Sequence, residues 1–201
     1  MTFENFIKEI DEIKTSFDIG RLFKLDDIKD LKFNLDEKIK DENLCFKFSS
    51  FNIILFNEIK KTIKFDEEVV KENLVNCDIA YFILAVTLKN NFYHVTTLII
   101  DHKNKKVVLF DNANNEFIKK TSKYFIKKIN INYKFESTNI IDKKNVRKLD
   151  ICSICVPISL FYIYIYTKFR IKLDDFINFL LKNSVKYNTE LMHKFVLFLE
   201  N

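Results

Sequence analysis

Apolar residues recur at helical spacing from the start of the chain. Phe3, Phe6, Ile7, Ile10 and Ile13 predict an amphipathic helix over 3–14, broken at Thr15–Gly20. Ile28, Leu31, Leu35 and Ile39 predict a partly helical segment within Asp26–Asp41. Leu44–Phe48 alternates as a short strand, and Asn52–Ile63 and Asp66–Val75 predict two more helices. Asp66 is the expected N-cap of the second, with Glu67 and Glu68 in its first turn. From Asp78 the period changes. Ile79–Leu88 is a continuous apolar run suited to a central strand, Tyr93–Asp101 is β-branched and apolar, and Lys106–Phe110 follows after a short turn. Short turns between them predict an antiparallel meander. Asn114–Lys128 reads as a helix, Ile129–Phe135 as a fourth strand with Thr138–Ile141 as an extension or fifth, and Asp174–Leu181 and Glu190–Glu200 as C-terminal helices. Strands in the middle with helices at both ends predict an α+β class.

Leu149–Tyr166, LDICSICVPISLFYIYIY, stands apart: a polar start, two cysteines, then almost unbroken apolar residues. Its apolar part, Ile151–Tyr166, is shorter than the roughly 20 residues a membrane span needs, so a buried helix is expected and no membrane contact. No linker and no repeat interrupts the chain, so its 201 residues form one domain, 1–201, expected to be monomeric.

Composition removes some chemistries. A single glycine excludes phosphate-binding loops and dinucleotide fingerprints, which need several. The first residues, MTFENFIKEIDEIK, are charged and amphipathic rather than leader-like, so the four cysteines are expected as free thiols in a reducing compartment. Residues 1–76 carry 13 basic and 17 acidic side chains, whereas residues 101–148 carry 13 basic and 5 acidic. Lys119, Lys120, Lys123, Lys127 and Lys128 fall on one predicted helix, and Lys143, Lys144, Arg147 and Lys148 precede the cysteines. Such a surface either solubilises the domain or contacts DNA nonspecifically.

A thiol attacks only as thiolate, and a helix N-terminus, a protonated imidazole or a nearby cation favours that form. Cys152 lies where the buried helix is predicted to begin. His94 starts one strand and Asp111 ends the next, so the antiparallel pairing brings both toward the same edge, where Asp111 can orient the imidazole. Cys155 reads as packing, and His102 and His193 as surface residues.

In YHVTTLIIDHKNKKVVLFDN, His94 and Asp111 are 17 residues apart, and DICSICV follows. This order over about residues 79–166 resembles the adenovirus-type and SUMO-specific cysteine peptidases. The resemblance implies a papain-like, adenain-like fold: a mostly antiparallel central sheet, flanking helices, and a buried helix starting at the nucleophile. It implies a catalytic core at 77–201, a helical substrate-side region at 1–76, a His94–Asp111–Cys152 triad and no cofactor. The family's oxyanion glutamine has its nearest counterpart in Asn145, which reads equally as a loop residue. Val95 stands where the family has tryptophan, Ser153 where it has glycine, and Pro157 falls inside the predicted helix.

The expected activity is a thiol endopeptidase cutting capsid or scaffold precursors after small residues during virion maturation, in the virion or the host cytoplasm. The alternatives are a deconjugating peptidase for ubiquitin-like modifiers and a non-catalytic basic DNA-binding protein. Cys152-Ser-Ile-Cys155 also has dithiol spacing, but the lone proline, Pro157, leaves no partner proline for a thioredoxin-like site. Cys45 and Cys77 stand alone in sequence, which argues against zinc.

Overall fold

The computed structural model describes residues 1–15, 23–40, 42–57, 60, 62–87, 93–138 and 154–201. Helix α1 spans Phe3–Asp11 and α2 Leu25–Lys38. Strands β1 (Ile53–Asn57) and β2 (Thr62–Lys64) precede α3 (Glu67–Asn73). Then come β3 (Ile79–Thr87), β4 (Tyr93–Asp101), β5 (Lys106–Phe110), α4 (Glu116–Lys128) and β6 (Lys134–Ser137). The chain ends with α5 (Cys155–Phe169), α6 (Leu173–Lys182) and α7 (Val185–Glu200). The fold is α+β, with a six-stranded sheet in the order β2-β1-β3-β4-β5-β6. β1–β2, β3–β4 and β4–β5 pair antiparallel, and β1–β3 and β5–β6 parallel.

Both faces of the sheet are covered, which explains why β3 is apolar throughout rather than alternating. Tyr81, Ile83, Val95 and Ile99 face a core shared with α1, α2, α5, α6 and α7. Phe82, Leu84, Leu98 and Ile100 face the other way, against α3 and α4. The first core is rich in aromatic rings: Phe6 of α1 lies 4.7 Å from Tyr164, and Phe161 lies 5.0 Å from Phe195. α5 runs through its centre, buried from Cys155 to Thr167. A buried polar group pins α2 to β3: Asp36 accepts from Lys32, the Tyr81 hydroxyl and the Phe48 amide.

Several expectations require correction. The expected helix Asn52–Ile63 is replaced by the strands β1 and β2, because β1 finds a partner in β3 far along the chain. Region 1–76 is therefore not wholly helical. Leu44–Phe48 forms one isolated bridge, Leu44 to Ile79, followed by turns. The strand expected at Ile129–Phe135 begins at Lys134, since Ile129 and Asn130 close α4, and it pairs parallel rather than continuing the meander, while 139–141 of the expected extension lie outside the described residues. Cys45 and Cys77 are joined in a disulfide rather than being free thiols. Asp66 caps α3 as expected, its side chain accepting from the Val69 amide at 3.1 Å. Among the described residues no helix is long and apolar enough to cross a membrane.

Candidate active site

The register of β4 and β5 brings His94 and Asp111 together. Thr97 pairs with Phe110 in an antiparallel ladder, so Asp111 falls opposite Thr96 and diagonal to His94. His94 Nε2 lies 2.7 Å from Asp111 Oδ1, and both side chains are buried. Asp111 is held firmly. Its Oδ1 also accepts from the Ala113 amide at 3.1 Å, its Oδ2 accepts from the Asn115 amide at 2.6 Å, and its own amide donates to Thr138 Oγ1 at 3.0 Å. The carboxylate closes the loop leading into α4 and fixes the imidazole at the same time.

α5 approaches this pair from the other side. Ser159 Oγ donates to the Val95 carbonyl at 3.2 Å, and Thr97 Oγ1 donates to the Ser159 carbonyl at 3.0 Å. These bonds anchor α5 on β4 one turn beyond Cys155, the first residue of the helix. Cys155 is a buried free thiol that interacts with the His94 ring. With Nε2 committed to Asp111, Nδ1 remains for the sulfur. Burial lowers the pKa of His94, but hydrogen bonds to Asp111 and Cys155 and the negative charge of both outweigh it, raising the imidazole to about 10.

The expected pairing of His94 with Asp111 is therefore present. Cys155, expected as packing, is buried in the core, and its thiol also interacts with the imidazole. Cys152 and Asn145 lie outside the described residues. A signal for Cys155 was present in Pro157. A helix starting at Cys152 would place Pro157 in its interior, where it clashes with the preceding turn; starting at Cys155, Pro157 occupies the third position, where no intrahelical N–H bond is lost. Of the lysines on α4, Lys120, Lys123, Lys127 and Lys128 are exposed, while Lys119 is half-buried and pairs with Glu116 at 3.8 Å.

No family profile and no curated protein matches the sequence. Solved structures do match the fold. A structure of ChlaDub1 from Chlamydia trachomatis aligns with a TM-score of 0.60 at 14% identity, covering 93% of this chain and 94% of that one. A second structure, of the Chlamydia trachomatis effector protein ChlaDUB1, aligns at 0.59 and 15% identity, covering 98% and 88%. The ASFV pS273R protease aligns at 0.50 and 13% identity, covering 90% of this chain and 68% of that one. At the level of fold, the chain is similar to these ChlaDub1 and pS273R protease structures.

Proposed function

We propose that the protein is a cysteine peptidase whose nucleophile is Cys155, oriented and protonated through His94 and Asp111. The observation that carries this reading is the double engagement of His94, bonded to Asp111 through Nε2 and in contact with Cys155. Attack requires the thiolate, with the imidazolium of His94 beside it. The sulfur attacks the scissile carbonyl. The positive end of α5 stabilises the oxyanion through its first backbone N–H groups, and Asn145 is the proposed side-chain donor. His94 gives its proton to the leaving amine, then takes one from the water that hydrolyses the thioester. Cys152, three residues earlier, is the competing nucleophile.

The substrate is protein. Cleavage of capsid or scaffold precursors is supported by the compact single chain and by the exposed Lys120, Lys123, Lys127 and Lys128, which would hold the enzyme on packaged DNA. Release of a ubiquitin-like modifier is the alternative. The pure protein is assayed against capsid proteins and against ubiquitin-like precursors of the same genome. Cleavage of either class, lost in Cys155→Ala and kept in Cys152→Ala, supports the reading. Full cleavage by Cys155→Ala overturns it. For the DNA role, binding to a labelled duplex at about 50 mM salt should weaken about 10³-fold at 200 mM if six phosphates are contacted, and no binding at the lower salt removes that role.

A further inference from the structure

Cys45, Cys77 and His102 converge at the opposite end of β4 from His94. Cys77 lies just before β3, and His102 directly follows β4. β4 rises about 3.3 Å per residue, so the eight residues from His94 to His102 put roughly 26 Å between the two places. One ligand atom from each of Cys45, Cys77 and His102 lies within 4.8 Å of the others. Three backbone bonds tie the contributing segments together. The Cys45 amide donates to the Ile79 carbonyl at 2.9 Å, the Asp78 amide to the Asn43 carbonyl at 3.0 Å, and the His102 amide to the Asp78 carbonyl at 2.9 Å. The donors are thus held by the fold and not merely adjacent on a mobile surface.

His102 supplies an independent observation. Its Nδ1 lies 3.1 Å from the Tyr133 hydroxyl, and the tyrosine ring meets the imidazole edge-on with centroids 5.7 Å apart. Its Nε2 is buried and has no hydrogen-bond partner. The imidazole lies beside two sulfurs, and its buried Nε2 is left open to a ligand. A Tyr133 hydroxyl that accepts from Nδ1–H leaves the Nε2 lone pair facing outward. That is how the outer partners of metal-bound histidines fix the coordinating nitrogen.

We propose that Cys45, Cys77 and His102 form a binding site for a soft divalent cation, zinc in the first instance, when the cysteine pair is reduced. Tetrahedral zinc with Zn–S near 2.3 Å and Zn–N near 2.0 Å holds its ligand atoms about 3.5–3.8 Å apart, so small side-chain rotations close the site. Two thiols lose their protons on binding and two thiolates bond the metal; the fourth position falls to water. The disulfide is the alternative state of the same sulfurs. A phosphine gives two electrons and becomes its oxide while water supplies the oxygen and two protons, or two thiols give both and become a disulfide; either converts the cystine to the dithiol, so oxidation and metal binding exclude one another. The site joins the turn after Leu44 to the starts of β3 and the loop after β4, and its role is structural.

The test uses the whole chain, reduced with a phosphine, freed of it without air, and titrated with Co²⁺ as a spectroscopic stand-in and with Zn²⁺. Thiolate-to-cobalt absorption at one ion per chain is expected, absent from the oxidised protein and restored on reduction. Mass mapping of alkylated wild-type protein should show zinc protecting Cys45 and Cys77. This readout needs no variant that has to fold. Tyr133→Phe should weaken zinc about 10-fold or more, and His102→Ala further, with unchanged circular dichroism. The absence of binding by the reduced protein overturns the proposal. So does protection confined to Cys152 and Cys155, or binding unaltered in Cys45→Ser.

Discussion

The hydroxyl of Ser159 donates to the carbonyl of Val95 at 3.2 Å, one helical turn beyond Cys155 and one residue beyond His94. This bond and its counterpart from Thr97 fix the start of α5 against the strand that carries the imidazole. Ser159→Ala should therefore cost about 1 kcal/mol of stability and leave the Thr97 donor in place. Chemical denaturation measures the first. Turnover should fall through a lower kcat rather than a raised KM, because Cys155 loses registration with His94 while substrate contacts persist.

Asp111 has two roles that one substitution can separate. Asp111→Asn retains an oxygen for the Asn115 amide, so the loop into α4 should survive, with circular dichroism close to wild type and melting lowered by loss of the ion pair with His94. The neutral amide no longer holds the imidazolium, and kcat should fall by orders of magnitude. Unfolding of Asp111→Asn would show that the carboxylate serves chiefly to cap the loop.

His94 titrates in the folded protein at about 10, above the ordinary 6.5 of a free imidazole, because its bonds to Asp111 and Cys155 outweigh burial. The folded state holds the proton more tightly than the unfolded state does. The stabilisation is fully present below about 6.5 and is lost as pH rises toward 10. The melting temperature of wild type relative to His94→Gln should thus exceed it most at pH 6 and converge with it near pH 10. Peptidase activity should persist through mild alkali and fall on the alkaline side as the imidazolium is lost. A constant difference in melting temperature from pH 6 to 10 would contradict the ion pair.

Lys32 and Asp36 lie side by side on α2, both buried, with the Tyr81 hydroxyl and the Phe48 amide also bonded to Asp36. Burial pushes the Lys32 ammonium down, and Asp36 draws it back only in part. Removing the carboxylate alone strands a buried cation, so Asp36→Ala should cost about 3–5 kcal/mol. Replacing both residues with leucine should cost far less, since no unpaired charge then remains. Urea denaturation of the two variants distinguishes the outcomes.

The approach of His94 to Asp111 was legible in the residues. Tyr93–Asp101 and Lys106–Phe110 carry strong β patterns joined by a short turn, so their boundaries and the approach of His94 to Asp111 follow from local rules. β1 was not legible: Ile53–Asn57 is a short apolar run whose strand character comes from pairing with Ile83–Thr87, a distant contact that local periodicity does not encode. Cys45 and Cys77 are 32 residues apart, and the pairing of the segment around Leu44 with the start of β3 brings them together. The described part of α5 begins at Cys155, and the expected start at Cys152 lies outside the described residues.

The central claim is that Cys155 is the thiol activated by His94. Brief exposure of the native protein to substoichiometric iodoacetamide at neutral pH, followed by peptide mapping, tests it directly. The account predicts carbamidomethylation of Cys155 ahead of Cys152, strongly reduced in His94→Ala, with Cys45 and Cys77 protected by their disulfide. Preferential labelling of Cys152, with the same dependence on His94, would contradict it.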